Sequence, residues 1–273
     1  MKTNRRTGRP ALAVGLATLA LMVAFSLAAP WISPFDPSAQ NLSQDLAAPS
    51  AQHWLGQDKL GRDQLSRIIY GARVSLQVGL GSVALSLLLG ITAGVGAGLG
   101  GRVADSVIMR LVDVLLAFPG ILLAIAMAAV LGPSLTNVIV ALGLIGWTGY
   151  ARLVRAEVLA IKALDHVEAA SALGAGRWRL VVRHILPLLA APLSVQATFG
   201  MASAIVAEAS LSFLGLGVQP PTPSWGSMIN EGRSFMLMAP HMTLYPGLAV
   251  LMAVLGLNAL GDGLRERLDV RSR

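Results

Sequence analysis

The stretch EAASALGAGRWRLVVRHILP, Glu168 to Pro187, breaks a pattern that holds on both sides of it. Before it, Val114–Ala151 carries no charged side chain, and after it Leu188–Ala207 carries none. Between them stand Glu168, Arg177, Arg179, Arg183, His184, Trp178 and the glycines Gly174 and Gly176. Working outward, the 273-residue chain is 55% hydrophobic and only 13% charged. A soluble domain carries roughly 25% charged residues, so the composition is that of a membrane protein. The absence of cysteine excludes disulfides, thiolate metal sites and a cysteine nucleophile.

A helix crossing a hydrocarbon core of about 30 Å needs roughly 20 apolar residues. Ala11–Ala29, Val74–Gly101, Ile185–Ala207 and Met242–Gly261 each meet that need. Val114–Ala151 is too long for one span, and LGPSLTN (Leu131–Asn137) divides it into a hairpin through its turn chemistry. The expected architecture is therefore an all-α membrane protein with six transmembrane helices. Pro119, Pro187 and Pro192 lie in or at these spans, where a helix bundle can tolerate them. The first segment also resembles a cleavable signal peptide, with MKTNRRTGRP before the apolar run and SLAAP after it. Its uncharged run exceeds the usual h-region and five further spans follow, which favours an uncleaved first helix.

Loop charge sets the orientation. With the N-terminus in the cytoplasm, the inner segments hold Lys2, Arg5, Arg6, Arg9, Arg102, Arg110, Arg152, Arg155, Lys162, Arg177, Arg179, Arg183, Arg265, Arg267, Arg271 and Arg273. The outer segments hold only Lys59, Arg62, Arg67, Arg73 and Arg233. Both termini and the opening stretch thus face the cytoplasm. The net charge of +7 is a consequence of topology, and nucleic acid is set aside as a partner.

The polar stretch is too long for a simple turn. YARLVRAEVLAIK extends the fourth span as an amphipathic helix, and DHVEAASAL forms a short second one. Asp165 is expected as its N-cap, with Glu168 completing a capping pattern. Gly174 and Gly176 end it, because glycine takes the left-handed conformation at little cost. RWRLVVRHILP then leads back into the bilayer. The result is an elbow outside the membrane, bearing small alanines and the interface-prone residues Trp and Arg. Physical chemistry alone leaves a docking elbow and a solvated loop both open.

These residues carry a resemblance. EAASALG, nine residues, then HILP resembles the EAA loop of bacterial ABC-importer permeases: Glu-Ala-Ala, three residues, Gly, nine residues, Ile, one residue, Leu-Pro. Glu168, Ala169, Ala170, Gly174, Leu186 and Pro187 match in register, and His184 replaces Ile as in the RHILP form of the peptide-permease branch. HWLGQDKLGRDQLSRIIYGARVSL (His53–Leu76), EASLSFLGLGVQPPTPSWGSMI (Glu208–Ile229) and NALGDGL (Asn258–Leu264) are similar to the C-type permeases of dipeptide, oligopeptide, glutathione and nickel importers. The resemblance implies a type I ABC-importer permease fold in the bacterial inner membrane. It further implies that Glu168, Ala169, Ala170, Gly174, Ala175, Gly176 and Trp178 form a coupling helix seated in a groove of an ATPase subunit. The implied partners are a second permease subunit (a heterodimer), two ATP-binding subunits and a periplasmic substrate-binding protein, all in membrane lipid. The expected cargo is a peptide, with nickel, glutathione or another small solute as the alternative. Residues 1–73 would form the N-terminal tail, first helix and periplasmic segment, 74–264 the permease core with its coupling loop at 152–187, and 265–273 a cytoplasmic tail.

Catalytic chemistry finds little footing. A phosphate-binding loop needs Gly-Lys-Ser/Thr, and none of Lys2, Lys59 and Lys162 follows a glycine. ATP hydrolysis would fall to a partner, and no cofactor is expected. Gly96, Gly98 and Gly101 make a formal Gly-x-Gly-x-x-Gly, but it closes an apolar span, where small residues serve helix packing. An intramembrane enzyme is the rival class; there is no His-Glu-x-x-His, and Asp113 with Arg110 one turn before it reads as a structural ion pair. Glu208, near the outer end of the fifth span, is the acid worth noting. It could line the substrate path, contact a partner subunit or anchor the Ser-rich turn after it. His53, His241, Met228, Met236, Met238 and Met242 have metal-ligand chemistry, but scattered residues of these types usually pack, and no metal is expected. Ser33–Arg73 and QPPTPSWG (Gln219–Gly226) should pack on the outer surface, either to receive a binding protein or to cap the bundle.

Overall fold

A computed structural model describes residues 8–268. Lys2, Arg5, Arg6, Arg271 and Arg273, which enter the orientation argument, lie outside the described residues, and nothing is described of the Arg9 side chain. The helices run α1 (Gly8–Ile32), α2 (Gln64–Leu99), α3 (Gly101–Leu116), α4 (Gly120–Leu131), α5 (Leu135–Ile161), α6 (Asp165–Ala172), α7 (Arg177–Leu180), α8 (Leu186–Phe213), α9 (Trp225–Gly232) and α10 (His241–Leu268). Among the described residues the only extended pairing is an isolated bridge between Gln57 and Asp63. Among the described residues, five stretches are long and apolar enough to cross a membrane: Pro10–Ile32, Gln64–Leu99, Leu135–Ile161, Arg177–Phe213 and His241–Leu268.

The bundle is built on α2 and α5, which run parallel and pack along their length, with Gly81 beside Ile139, Gly90 beside Tyr150 and Gly98 beside Val158. The glycine-rich half of α2 makes this possible: a Cβ at Gly94 would stand 2.6 Å from Val154 Cβ, and one at Gly98 2.8 Å from Val158 Cβ. The backbones can approach that closely only without side chains between them. Gly98 is thus part of a helix contact, a Cβ at Gly96 would meet Ile108 of α3 at 3.5 Å, and Gly101 is a turn at φ +85°; a helix and not a strand precedes them. Ser86 adds an interhelical hydrogen bond, its Oγ donating to Gly143 O at 3.1 Å. α1 packs against α10 and α2, and α10 against α8.

The third expected span differs from the sequence reading. Instead of a straight helix from Val114, α3 and α4 meet at 86° across Ala117–Pro119. Phe118 precedes a proline and is pushed away from the helical region, and Pro119 itself is extended at ψ 119°. Its missing N–H removes the bond that would carry the helix through. The 12 residues of α4 rise only about 18 Å, too short to cross alone. Pro192 and Pro246, by contrast, lie inside continuous helices.

The Leu131–Asn137 hairpin forms as expected. Gly132 has a positive φ of 85°, Ser134 caps α5 by accepting from Asn137 N, and the Asn137 side chain donates to the carbonyls of Leu131 and Gly132. At the end of the bundle away from the elbow, Ser33–Arg73 packs down rather than dangling. Gln57, Asp58, Arg62 and Asp63 are buried there, and Trp225 Nε1 donates to Ile68 O at 3.0 Å, joining α9 to α2.

Candidate functional site

Between α5 and α8 the chain leaves the bundle as an elbow made of α6, a glycine turn and α7. Leu164, not Asp165, occupies the N-cap, and no side chain caps the helix. Asp165 and Glu168 instead sit in the first turn, where the unpaired N–H groups and the helix dipole favour negative charge. Capping demands extended backbone, and the chain reaches that conformation at Leu164 (ψ 136°), one residue earlier than the sequence suggested.

The C-terminal turn is a Schellman closure. Ala175 N donates to Ala170 O at 3.0 Å and Gly174 N to Ser171 O at 3.0 Å, with Gly174 at φ +85°. Gly176 has no positive φ; it is the extended N-cap of α7. The two glycines therefore have different tasks, one ending α6 and the other starting α7.

Exposure divides the elbow into a root and a surface. Val167 is 3% exposed and belongs to the main core with Val158, Ile161, Ile185 and Leu189. Around it Glu168, Ala169, Ala172 and Gly174 are exposed, Ala170 and Ala175 partly so. Leu173 and Trp178 are 89% and 78% exposed, flanking the glycine turn. Large apolar side chains this open on a polar segment mark a contact surface more often than a solvated loop. Among the described residues, no ion pair involves Asp165, Glu168, Arg177, Arg179 or Arg183, so their charges face outward unspent.

The elbow joins α8 through a π turn at Val181–Ile185, where Leu186 N–H reaches back to Val181 O. Pro187 follows immediately and offers no N–H to the Arg183 carbonyl, so the helix widens before it. The His184 ring lies 6.2 Å from that of His166, bringing the root of α8 to the elbow.

Ion pairs support the end of the bundle that bears the elbow, but not in the expected combination. Asp113 pairs with Arg152 of α5 at 2.7 Å rather than with Arg110. Asp105 takes Arg155 in a two-pronged contact, with Nη2 donating to Oδ2 at 2.6 Å. Arg110 is exposed and takes part in no ion pair among the described residues.

Two adjoining cavities open on α8. One, of about 320 Å3, is bordered by Ser82, Ser86, Ile121, Tyr150, Gln196 and Ser203 among others. The other, of about 420 Å3, includes Ile121, Ser203, Ala207, Ser210 and Asn258. Ile121, Ser203 and Ala207 border both, and neither cavity has a charged side chain in its wall.

Glu208 borders neither cavity. It is 0% exposed, and its carboxylate accepts from Ser212 Oγ at 2.6 Å, which in turn accepts from Val218 N at 3.2 Å. Of the three roles left open by the sequence, this geometry matches the anchoring of the turn after α8. The other carboxylate oxygen is buried without a partner among the described residues. His53 Nδ1 meets Asp63 at 2.8 Å and His241 Nε2 meets Gln57 O at 3.0 Å, while Met228 and Met242 are buried in packing.

The end of the bundle opposite the elbow holds a buried charge cluster, of which local sequence shows only separate charged residues. Asp58 accepts from Arg62 Nε at 2.6 Å and also from Arg67. Glu231 of α9 accepts from the same two arginines at 2.7 and 3.0 Å. Two acids and two bases, separated by up to 173 positions, balance in a nearly water-free site and clamp the outer segment onto α9. The DKLGRDQLSR spacing shows the local half of it; Glu231 could come only from the fold.

Residues 87–273 match the family described as binding-protein-dependent transport system inner membrane component, and residues 9–49 match the N-terminal TM domain of oligopeptide transport permease C. The dipeptide transport system permease protein DppC of Alkalihalophilus pseudofirmus is 44% identical over 95% of this chain and 86% of its own. The glutathione transport system permease protein GsiD of Pectobacterium atrosepticum is 46% identical over 95% and 86%. The di/tripeptide transport system permease protein DppC of Pseudomonas aeruginosa is 47% identical over 93% and 86%. With a multi-pass helical bundle, an exposed elbow between two spans and these matches along nearly its whole length, the chain belongs to the binding-protein-dependent transport system inner membrane component family of transport permeases.

Proposed function

We propose that this chain is one of two permease subunits of an ATP-driven importer that carries short peptides across the bacterial inner membrane. The observation that carries the reading is the elbow: Asp165–Gly176 stands outside the bundle, rooted by Val167 in the core shared by α5 and α8, with Leu173 and Trp178 turned outward. A groove on an ATP-binding subunit that held Leu173, Trp178 and the acidic first turn would grip both spans at once. Closure of two such subunits on ATP then becomes a displacement of α5 and α8, and with them the cavity walls. Glu168, Ala169, Ala170, Gly174, Ala175, Gly176 and Trp178 are the coupling residues in this reading.

The cavities along α8 would form this chain's half of the path, completed by the second permease. Their hydroxyl- and amide-dotted, uncharged walls suit a zwitterionic peptide, which must enter yet not be held by its termini. The named relatives transport dipeptides, di- and tripeptides, or glutathione, and glutathione is itself a short peptide in chemistry. A periplasmic binding protein would dock on the outer cap formed by Ser33–Arg73 and α9. The inner placement of the elbow and of both termini follows from the bias of lysine and arginine described above.

Glu168→Lys and Trp178→Ala test the coupling role. Each is expected to reduce both retention of the ATP-binding subunit by the tagged chain and peptide uptake by membrane vesicles, at an unchanged amount of inserted protein. Full retention and full uptake in both variants would overturn it.

A further inference from the structure

α3 has three faces rather than two. One packs inward: Val112 is buried, and Asp105 is paired with Arg155 of α5. A second carries Arg102, Ser106, Arg110 and, among them, Asp113, whose charge is taken up by Arg152 of α5; all four are exposed. The third is apolar and just as open: Val103, Val107, Leu111 and Val114 are exposed, as is Phe118 in the break after the helix. At 100° per residue those four aliphatic side chains fall within an arc of about 80°.

The depth of this helix is fixed by its ion pairs. Arg152 is the first charged residue after the uncharged Val114–Ala151 stretch, so it marks the boundary between hydrocarbon and water. Asp113 and Asp105 bind Arg152 and Arg155, which holds α3 at that boundary. Its start is fixed as well, because α2 ends at Leu99 and Gly101, at φ +85°, turns the chain directly into α3. α4 packs along the spanning helix α5, and α3 is bent 86° from α4, which lays α3 close to the membrane plane.

We propose that α3 is an interfacial helix embedded in the cytoplasmic leaflet, with Val103, Val107, Leu111 and Val114 among the upper acyl chains and Arg102 and Arg110 at anionic headgroups. An apolar face beside a basic edge, at headgroup depth, is the pattern of a helix lying in the interface. The two arginines complement the negative surface of that leaflet. This inference rests on the embedding of the chain in a membrane and not on the coupling reading, so either can fail alone.

The absence of native cysteine makes the test direct. Single variants Val107→Cys, Leu111→Cys and Ser106→Cys in the full chain, produced with its transporter subunits, are labelled with an environment-sensitive fluorophore. They are then reconstituted in liposomes of phosphatidylcholine and phosphatidylglycerol. Labels at 107 and 111 should be quenched severalfold more by lipid spin-labelled high on its acyl chain than the label at 106, with the reverse order for aqueous iodide. Iodide reaching 107 and 111 as freely as 106 would place the helix in water and overturn the proposal. Labels at 107 and 111 shielded from both quenchers would assign the face to a protein partner and overturn it equally. If Val107→Cys does not accumulate, Val103→Cys carries the same comparison.

Discussion

Gly174 offers the sharpest test of how the elbow is held. Its φ of +85° is required by the Schellman closure, yet a Cβ built there meets nothing within 4 Å. Any effect of substitution is therefore conformational and not a clash. A left-handed backbone costs an ordinary L-residue about 1–2 kcal/mol, and asparagine less, because its short polar side chain tolerates that region. α6 is tied to the core by Val167 alone among its residues, so the cost falls on the elbow and not on the bundle. A penalty of that size lowers the population of the closed turn by roughly 5- to 30-fold. Peptide uptake by vesicles should rank Gly174 first, then Gly174→Asn, Gly174→Ala and finally the β-branched Gly174→Val, at equal membrane protein and unchanged melting temperature. Uptake by Gly174→Val equal to that of the native chain, or by Gly174→Asn no better than by Gly174→Ala, would refute the reasoning.

Two further outcomes follow from packing and charge. Asp58→Ala leaves Arg62 and Arg67 buried with only Glu231 between them, and breaking a buried ion pair in this way costs about 3–5 kcal/mol. Glu231 is more open to solvent than Asp58, so Glu231→Ala should lower the melting temperature of the detergent-solubilised protein less, and a larger fall there would contradict the clamp. Gly94→Ala forces a methyl to within 2.7 Å of the Ala151 carbonyl and should destabilise by about 1–3 kcal/mol. Gly247→Ala, where a Cβ meets nothing within 4 Å, should be neutral or stabilising by up to about 1 kcal/mol in a helix interior. The pair is read from thermal denaturation, and equal melting temperatures would count against the α2–α5 contact.

Much of the architecture was legible because a bilayer leaves the chain few options. Backbone groups in hydrocarbon must be bonded within the segment, so long uncharged runs become helices and turn residues such as Gly132-Pro133-Ser134 become their ends. The elbow was legible for the same reason, since charge at Arg177–Arg183 cannot stay in lipid and Gly174 marks a left-handed turn. What the sequence could not show is where side chains separated along the chain come together. The N-cap moved one residue, to Leu164, because dihedral angles and not residue type decided it. Asp113 meets Arg152 of another helix, while Arg110 one turn before it stays exposed.

The sequence by itself thus determined the medium, the number of apolar segments, the polarity of the loops and the position of the elbow, all properties of local composition and spacing. Only the tertiary structure decided that Pro119 breaks the third span, that Glu208 is sealed inside and tied to Ser212, and that Glu231 completes a charge cluster begun at Asp58. Those outcomes depend on which helix faces meet, and a pairwise meeting across as many as 169 positions leaves no trace in local sequence.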